Sequence, residues 1–153
     1  MNLAYVPATT DHRVFVISSW LDSFRDSDSA GMLSMERFWD CMWPEVESLM
    51  NRKGTRTMVA VNRDDPSQYF GFITADPTAS PPVVHYVCVK GPHRKWGYAK
   101  ALFEAIGIDP KKQFDYTYRT PLVFHLAHKI PLASHQPMLA RFPPGMGRRR
   151  NAR

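Results

Sequence analysis

A valine-rich run that passes directly into a basic, glycine-containing turn constrains this chain more than any other feature. Residues 83–89 are VVHYVCV, and residues 90–99 are KGPHRKWGYA, followed by an apolar helical pattern. Apolar residues on both faces are typical of a central strand that is covered on both sides. The helix that follows would present unsatisfied backbone N–H groups and the positive end of its dipole beside basic side chains. This combination predicts a site for a pyrophosphate-sized anion at the carboxyl end of a central strand.

Two small residues in the turn support an anion site. Gly97 and Ala99 would let a ligand approach the backbone closely, and Arg94 and Lys95 add formal charge beside it. The spacing differs from both common nucleotide-binding fingerprints, because the chain has no GxxxxGK followed by Ser or Thr and no GxGxxG.

The periodicity of apolar residues predicts an α+β domain with a single mixed, mostly antiparallel sheet and helices on both faces. The expected order is β-α-α-β-β-β-α-β plus an atypical C-terminal segment. We expect strands over 3–8, 57–61, 69–75, 83–89 and 114–118, a helix from Thr10 or Asp11, a helix capped by Ser34, and a helix over 97–107. The first helix would bury Val14, Ile17, Leu21 and Phe24, and the second Phe38, Met42, Val46 and Leu49, with a kink or restart at Pro44. Less regular patterns suggest a short helix near 122–129 and a strand near 138–142.

The charge is distributed unevenly along the chain. The net charge is +6, yet residues 1–50 carry an excess of acids and residues 141–153 carry arginines and no acid. We therefore expect one domain over 1–142 and a Pro/Gly/Arg-rich tail over 143–153. Arg148, Arg149, Arg150 and Arg153 could contact a protein partner or a nucleic acid. The alternative is a solvated end.

Composition excludes several classes of protein. A hydrophobic content of 44% and a charged content of 22% fit a globular domain. No run approaches the roughly 20 apolar residues that span a bilayer, and the first residues lack the features of a secretion signal. Cys41 and Cys88 lie in apolar runs and are expected to be reduced core thiols, which predicts a cytoplasmic protein without a membrane partner. The histidine spacing predicts no metal site.

The basic turn resembles the acyl-coenzyme A loop of the GNAT (general-control-related N-acetyltransferase) superfamily. The family signature is Gln or Arg, two residues of any type, Gly, any residue, and then Gly or Ala. It follows a strand and opens a helix, as RKWGYA does here at residues 94–99. The order of elements to about residue 118 is also similar to the GNAT order. The resemblance implies a GNAT fold, and an N-acyltransferase that uses acetyl-CoA to acetylate a primary amine.

The resemblance also implies roles for individual residues. The backbone of Val87 and Val89 would pair with the pantetheine arm, and the Val89 N–H would stabilise the oxyanion that develops on the thioester carbonyl. The diphosphate would be held by the turn and the first residues of the helix. These cofactor-binding residues are Arg94, Lys95, Trp96, Gly97, Tyr98 and Ala99.

Direct attack on a thioester needs a deprotonated amine and a protonated leaving thiolate. The family base is often a carboxylate on the central strand, but PPVVHYVCV has none. His85 is the candidate base, because strand alternation puts it on the face of Val87 and Val89 and its ordinary pKa is near neutral. The alternative is a structural histidine on a sheet face.

The family often takes its general acid from a Tyr in an AxxxYxxxGF helix after the fifth strand. Here the corresponding residues are VFHLAHKIPLA, with neither that Tyr nor the GF pair. Tyr118, on the preceding strand, is the nearest candidate acid. This departure leaves a rival hypothesis open, namely a catalytically inactive GNAT-fold subunit with a structural or binding role in a larger assembly.

The acceptor is expected to be an amine on a small molecule or on a protein. In GNAT folds the linker between the first two helices borders the acceptor entrance. Asp22, Asp26 and Asp28 could form an acidic rim there that favours a cationic amine. The alternative is a solvated helix face.

Overall fold

The described part of the chain folds around one six-stranded sheet with three α-helices. A computed structural model describes residues 2–25, 34–91, 96–119 and 129–143. The strands are β1 (Leu3–Pro7), β2 (Arg56–Asn62), β3 (Tyr69–Asp76), β4 (Val83–Val89), β5 (Phe114–Tyr116) and β6 (Ala133–His135). The helices are α1 (Arg13–Arg25), α2 (Met35–Met50) and α3 (Trp96–Ile106).

The strands lie in the sheet in chain order from β1 to β6. β1 to β4 pair antiparallel, whereas β4 with β5 and β5 with β6 pair parallel. The predicted hairpin over 57–75 is confirmed, as is the single mixed sheet with helices on both faces. The central position of β4 explains its apolar composition, because it has neighbours on both sides and helices over both faces.

One face of the sheet packs against α1 and α2, and we call this the α1–α2 core. It is formed by helix residues Val16, Ile17, Trp20, Leu21, Phe24, Phe38, Val46 and Leu49 with Tyr118, which follows β5, and with sheet residues that include Val59, Phe72 and Tyr86. Trp20 is completely buried and stacks on Tyr86 with the ring centroids 4.9 Å apart. The predicted burial of Val14 was wrong: its side chain is 65% exposed, because the buried stripe of α1 passes through Val16 and Trp20 instead.

The second helix begins as the sequence indicates. Ser34 accepts a hydrogen bond from the backbone N–H of Arg37 and caps α2. α2 continues through Pro44 to Met50 without a restart. Glu47 Oε2 pairs with Arg13 Nη2 at 2.6 Å and connects α2 to the start of α1.

The other face packs against α3, and we call this the α3 core. Ala99, Leu102, Phe103 and Ile106 of α3 are buried against sheet residues that include Ile73, Val84, Val89 and Phe114. α3 ends at Gly107, whose φ of +87° is readily adopted only by glycine. The N–H of Ile108 then bonds to the carbonyl of Phe103 at 3.0 Å, as in a Schellman motif.

The C-terminal segment differs from the prediction. The strand expected near 138–142 was wrong: the strand lies at Ala133–His135, and Pro137–Ala140 forms a 3-10 turn. Pro137 lacks an N–H and fits the first position of such a turn, which a strand pattern does not reveal. Arg52 donates to the carbonyls of Leu139 and Ala140 at 2.7 and 2.6 Å and fastens this turn to the end of α2.

Some predictions concern residues outside the described ranges. These are the short helix near 122–129 and most of the tail over 143–153, so the boundary at residue 142 stays a prediction. In the part of the chain that the structure describes, no helix is long and apolar enough to cross a membrane.

Candidate active site

The sheet opens between β4 and β5. The two strands pair only at Val83 with Asp115 and Val84 with Tyr116, and the N–H of Thr117 adds a last bond to Val84 O at 3.1 Å. β4 runs on to Val89, whereas β5 ends at Tyr116. The expected strand over 114–118 is therefore two residues too long at its carboxyl end. In the described part of the chain, no strand therefore pairs with the second half of β4 on this side, and we call this gap in the sheet the opening.

A β-bulge lies at the point where the opening begins. Thr74 of β3 is opposite Tyr86, but the next residue, Ala75, is opposite Val84, so His85 is the extra residue on β4. Tyr86 accordingly contacts the α1–α2 core and Val84 the α3 core. The simple alternation that was expected to put His85 on the face of Val87 and Val89 is broken at His85 itself.

The bulge also decides which backbone groups face the opening. Before it, the carbonyls of Pro82 and Val84 accept bonds from β5. Beyond it, the N–H of Lys90 bonds to Phe70 O of β3 at 2.8 Å. Backbone groups alternate in direction along a strand, so those of Val87 and Val89 point away from β3. They point to the side on which β5 pairs with the first half of β4.

The start of α3 gives a second feature of the site. A Cβ added at Gly97 would meet nothing within 4 Å, so the first turn of the helix can be approached closely. Ala99 is buried in the α3 core, where its small side chain allows the helix to pack near the sheet, and its part in holding a diphosphate stays a prediction. Trp96 and Tyr98 are half-buried at the edge of the same core, and Trp96 packs on Phe103 with the ring centroids 6.4 Å apart.

The basic residues of the turn are only partly described. Lys90 Nζ lies 5.1 Å from the centroid of the Phe15 ring, a cation–π contact with α1. Arg94 and Lys95 lie outside the described residues, so their predicted contact with a diphosphate stays a prediction.

His85 is held at the narrow end of the opening. Its side chain is 2% exposed, and Nδ1 lies 2.9 Å from Thr117 Oγ1, across the gap between β4 and β5. Burial, together with the nearby positive charge of Arg52, lowers the pKa of His85 to about 4, while Asp76 acts in the opposite direction. The imidazole is therefore neutral at neutral pH and is a weaker base than an ordinary histidine.

Tyr118 is 9% exposed and packs edge-on against Trp20 and Phe24. Burial raises its pKa above the ordinary tyrosine value, and Glu45 raises it further, while Arg141 and Arg52 oppose the shift. A tyrosine with a raised pKa gives up its proton less readily than usual, which is unfavourable for a general acid at neutral pH.

A cavity of about 270 Å³ lies beside Tyr118, at the carboxyl end of β5. Its lining includes Phe24, Glu45, Thr117, Tyr118, Met138 and Arg141. The sequence analysis missed Glu45 and Thr117. The signal for Glu45 was its position, because it falls seven residues after Phe38 and four before Leu49, on the apolar stripe of α2 where a charged side chain is unusual.

Other sequence hypotheses have mixed outcomes. Cys88 packs against the α1–α2 core, but Cys41 is exposed, so the expectation of two core thiols was wrong for Cys41. Asp22 is exposed on α1, whereas Asp26 and Asp28 lie outside the described residues. Among the residues that the structure describes, no group of three His, Cys, Asp or Glu side chains could hold a metal ion.

No protein-family model matches the sequence, and no curated protein matches it. Solved structures match the fold. A provisionally assigned acetyl transferase from Pyrococcus furiosus has a TM-score of 0.61 at 15% identity, over 84% of this chain and 91% of that one. The aminoglycoside N-acetyltransferase AAC(6')-Iy, solved in complex with CoA, has a TM-score of 0.52 at 13% identity, over 88% and 90%.

The aminoglycoside 6'-N-acetyltransferase AAC(6')-Ih from Acinetobacter baumannii has a TM-score of 0.51 at 14% identity, over 89% of this chain and 92% of that one. At such identities the likeness concerns the fold. The fold matches that of these solved acetyltransferases. More particularly, it is the GNAT fold, which confirms the fold expected from the basic turn.

Proposed function

We propose that this protein is an N-acyltransferase that moves the acetyl group of acetyl-CoA to a primary amine. The observation that carries the proposal is the opening between β4 and β5, with the backbone groups of Val87 and Val89 directed to it. Beyond Val84, β5 no longer pairs with β4 in the described residues, and a strand edge can pair with an extended ligand as it would with another strand. The pantetheine arm of coenzyme A is extended and carries two amides, so it suits such an edge.

The position of the pantetheine arm beside β4 determines where the rest of the cofactor would lie. The diphosphate would lie at the first turn of α3, near Gly97, where backbone N–H groups and the helix dipole favour an anion. Arg94 and Lys95 would add charge-assisted bonds. The CoA complex of AAC(6')-Iy, which has the same fold, supports coenzyme A as the ligand.

In the proposed reaction, the amine nitrogen attacks the thioester carbonyl and the C–S bond breaks as the C–N bond forms. The amine loses one proton, and the coenzyme A thiolate takes one up. The Val89 N–H would stabilise the oxyanion. His85 is the proposed acceptor of the amine proton, since it is neutral and lies at the opening. Tyr118 is the weaker proposal as donor because of its raised pKa.

Isothermal titration with acetyl-CoA tests the proposal. We expect saturable binding to the wild type and a loss of at least about ten-fold in affinity for Gly97→Glu, which puts a negative charge at the diphosphate position. The matched control is Gln113→Glu, the same change in charge at an exposed residue just before β5, at the opposite end of α3. The control should bind as the wild type does.

Either of two outcomes of the titration would exclude the proposal. If acetyl-CoA does not bind at millimolar concentration, or if Gly97→Glu and Gln113→Glu bind equally well, coenzyme A does not use this site.

A second function has an observation in its favour. His85 bonds to Thr117 across the two strands, and its pKa is lowered. A histidine whose role is to hold the two strands together would show both features, just as a catalytic base could. We therefore keep the alternative of a GNAT-fold structural or binding subunit whose residues Arg148–Arg150 and Arg153 contact a partner protein or nucleic acid. Acetyl-CoA binding without transfer to any amine, together with salt-dependent binding to RNA or DNA, would favour this alternative.

We also propose a cytoplasmic location, because Cys41 and Cys88 form no disulfide with each other.

A further inference from the structure

Thr117 contributes both to the cavity at the carboxyl end of β5 and to the narrow end of the opening. Thr117 donates its N–H to Val84 O, lies 2.9 Å from His85 through Oγ1, and also lines the cavity. Since β4 and β5 are parallel, this end of β5 is the end at which β4 approaches Val89. A molecule in the cavity would therefore lie beside the proposed position of the thioester.

The cavity contains charges of both signs. Glu45 and Arg141 line it, and both act on the Tyr118 hydroxyl, the carboxylate raising and the guanidinium lowering the pKa of Tyr118. The two charges are thus within reach of the same hydroxyl group. Arg119 also lines the cavity, so its formal positive charge exceeds its negative charge.

The remaining lining is largely apolar. Phe24, Pro137, Met138 and Ala140 contribute to the walls. The volume of about 270 Å³ is below the roughly 300–1,000 Å³ typical of cavities for drug-sized ligands, so the occupant is small. A polyamine would bring several cations towards the arginines, which is unfavourable.

We propose that this cavity is the acceptor site and that it selects a small amine which also carries an acidic group on an apolar body, such as an apolar α-amino acid. This inference rests on the proposed acyltransferase function. Glu45 binds the ammonium group and Arg141 binds the acidic group, while Phe24 and Met138 contact the apolar part. On this proposal, the acidic rim predicted from Asp22, Asp26 and Asp28 has no part in acceptor choice.

Three related probes test the two charges separately. L-Phenylalanine has both charges, phenethylamine lacks the carboxylate, and 3-phenylpropionate lacks the amine. Each is titrated into the protein calorimetrically, with and without saturating coenzyme A, and spermidine serves as the polycationic probe. We expect L-phenylalanine to bind at least about five-fold more tightly than phenethylamine or 3-phenylpropionate, and spermidine to bind more weakly still.

Substitutions of Arg141 and Glu45 test which residue recognises each charged group of L-phenylalanine. Arg141→Gln should reduce the preference for L-phenylalanine over phenethylamine by about two- to five-fold, since Arg141 is exposed. Glu45→Gln should reduce the preference for L-phenylalanine over 3-phenylpropionate by about ten-fold, because Glu45 is half-buried. The controls are Arg63→Gln, in the exposed turn between β2 and β3, and Glu36→Gln, exposed at the start of α2. Far-UV circular dichroism verifies that each variant is folded.

The outcomes separate this inference from the proposed function. Equal binding of phenethylamine and L-phenylalanine, tighter binding of spermidine, or unchanged preferences in both site variants would overturn the acceptor assignment, even with acetyl-CoA binding intact. Failure of acetyl-CoA to bind would instead remove the proposed function, and it would be seen in the cofactor titration without any acceptor. Selective binding of L-phenylalanine that both variants weaken would support the assignment.

Discussion

Gly71 of β3 lies opposite Val89 of β4. A Cβ at this residue would lie 2.5 Å from Cys88 O and 3.2 Å from Val89 Cα. These neighbours are backbone atoms of a central strand, so they cannot move aside cheaply. Glycine is therefore required here by the close approach of two strands.

We predict that Gly71→Ala lowers the free energy of unfolding by about 1–3 kcal/mol, the usual cost of overpacking. Urea denaturation measures the change. The control is Gly97→Ala, where an added Cβ meets nothing within 4 Å and a helical alanine is favoured over glycine by up to about 1 kcal/mol. Equal effects of the two substitutions would contradict the packing described for Gly71.

His85 makes stability depend on pH. Its pKa is lowered to about 4 in the folded protein, whereas an unfolded histidine titrates near 6.5. Between these values the unfolded chain binds more protons, so acid favours unfolding. The stabilisation from neutral His85 is complete above about pH 6.5 and is lost as the pH falls towards 4, with an upper limit of about 3 kcal/mol.

We predict that His85→Gln flattens the fall in the free energy of unfolding between pH 6.5 and 4.5. Urea unfolding of both proteins across this range gives the comparison. Arg52 and Asp76 are present in both proteins, so the difference between the two pH profiles reports the titration of His85 with these neighbours in place. Parallel pH profiles for the wild type and the variant would show that His85 is not titrating as the geometry requires.

At the scale of elements, the sequence pattern predicted those with strong periodicity and missed those set by tertiary contacts. β4 was predicted with its observed bounds, Val83–Val89, because its apolar run is bounded by proline and glycine. β5 was predicted two residues too long, because Thr117 and Tyr118 have strand propensity but are turned aside by contacts with His85 and α1.

The bulge at His85 could not be predicted from alternation, since an extra residue leaves no mark in the pattern of apolar residues. Its effect on the site is large. It determines that the backbone of Val87 and Val89, and not that of Tyr86 and Cys88, faces the opening. Likewise, the packing of Ala99 against the sheet could not be predicted, because a small residue suits both the approach of a ligand and the close packing of a helix.

Arg52, just after α2, fastens the 3-10 turn over Pro137–Ala140. Its guanidinium donates hydrogen bonds to Leu139 O and Ala140 O. We predict that Arg52→Gln raises hydrogen–deuterium exchange at the amides of Leu139 and Arg141, and that the pKa of His85 rises because a nearby positive charge is removed.

Exchange followed by mass spectrometry measures the first effect, and NMR titration of the His85 ring measures the second. Arg56→Gln, an exposed change in β2, is the control for both. Unchanged exchange in residues 137–141 would contradict the fastening role of Arg52.

At the scale of the whole molecule, the fold and the opening are two separate observations. The GNAT fold is shared with acetyltransferases at 13–15% identity, and so low an identity carries no information about the acceptor. Three features are observed in this chain itself and support the proposed acyltransferase function. They are the opening, the start of α3 and the cavity. Two departures from the GNAT pattern favour an inactive subunit: His85 replaces the usual strand carboxylate, and Tyr118 replaces the usual helix tyrosine.

The central claim is that acetyl-CoA lies in the opening between β4 and β5. The most direct measurement is a titration of ¹⁵N-labelled protein with acetyl-CoA, followed by amide chemical shifts. We predict saturable shifts at Val87, Val89 and Gly97, with little change at the amides of β1, at the far edge of the sheet. An absence of saturable shifts at millimolar acetyl-CoA, or shifts that avoid β4 and α3, would contradict the account.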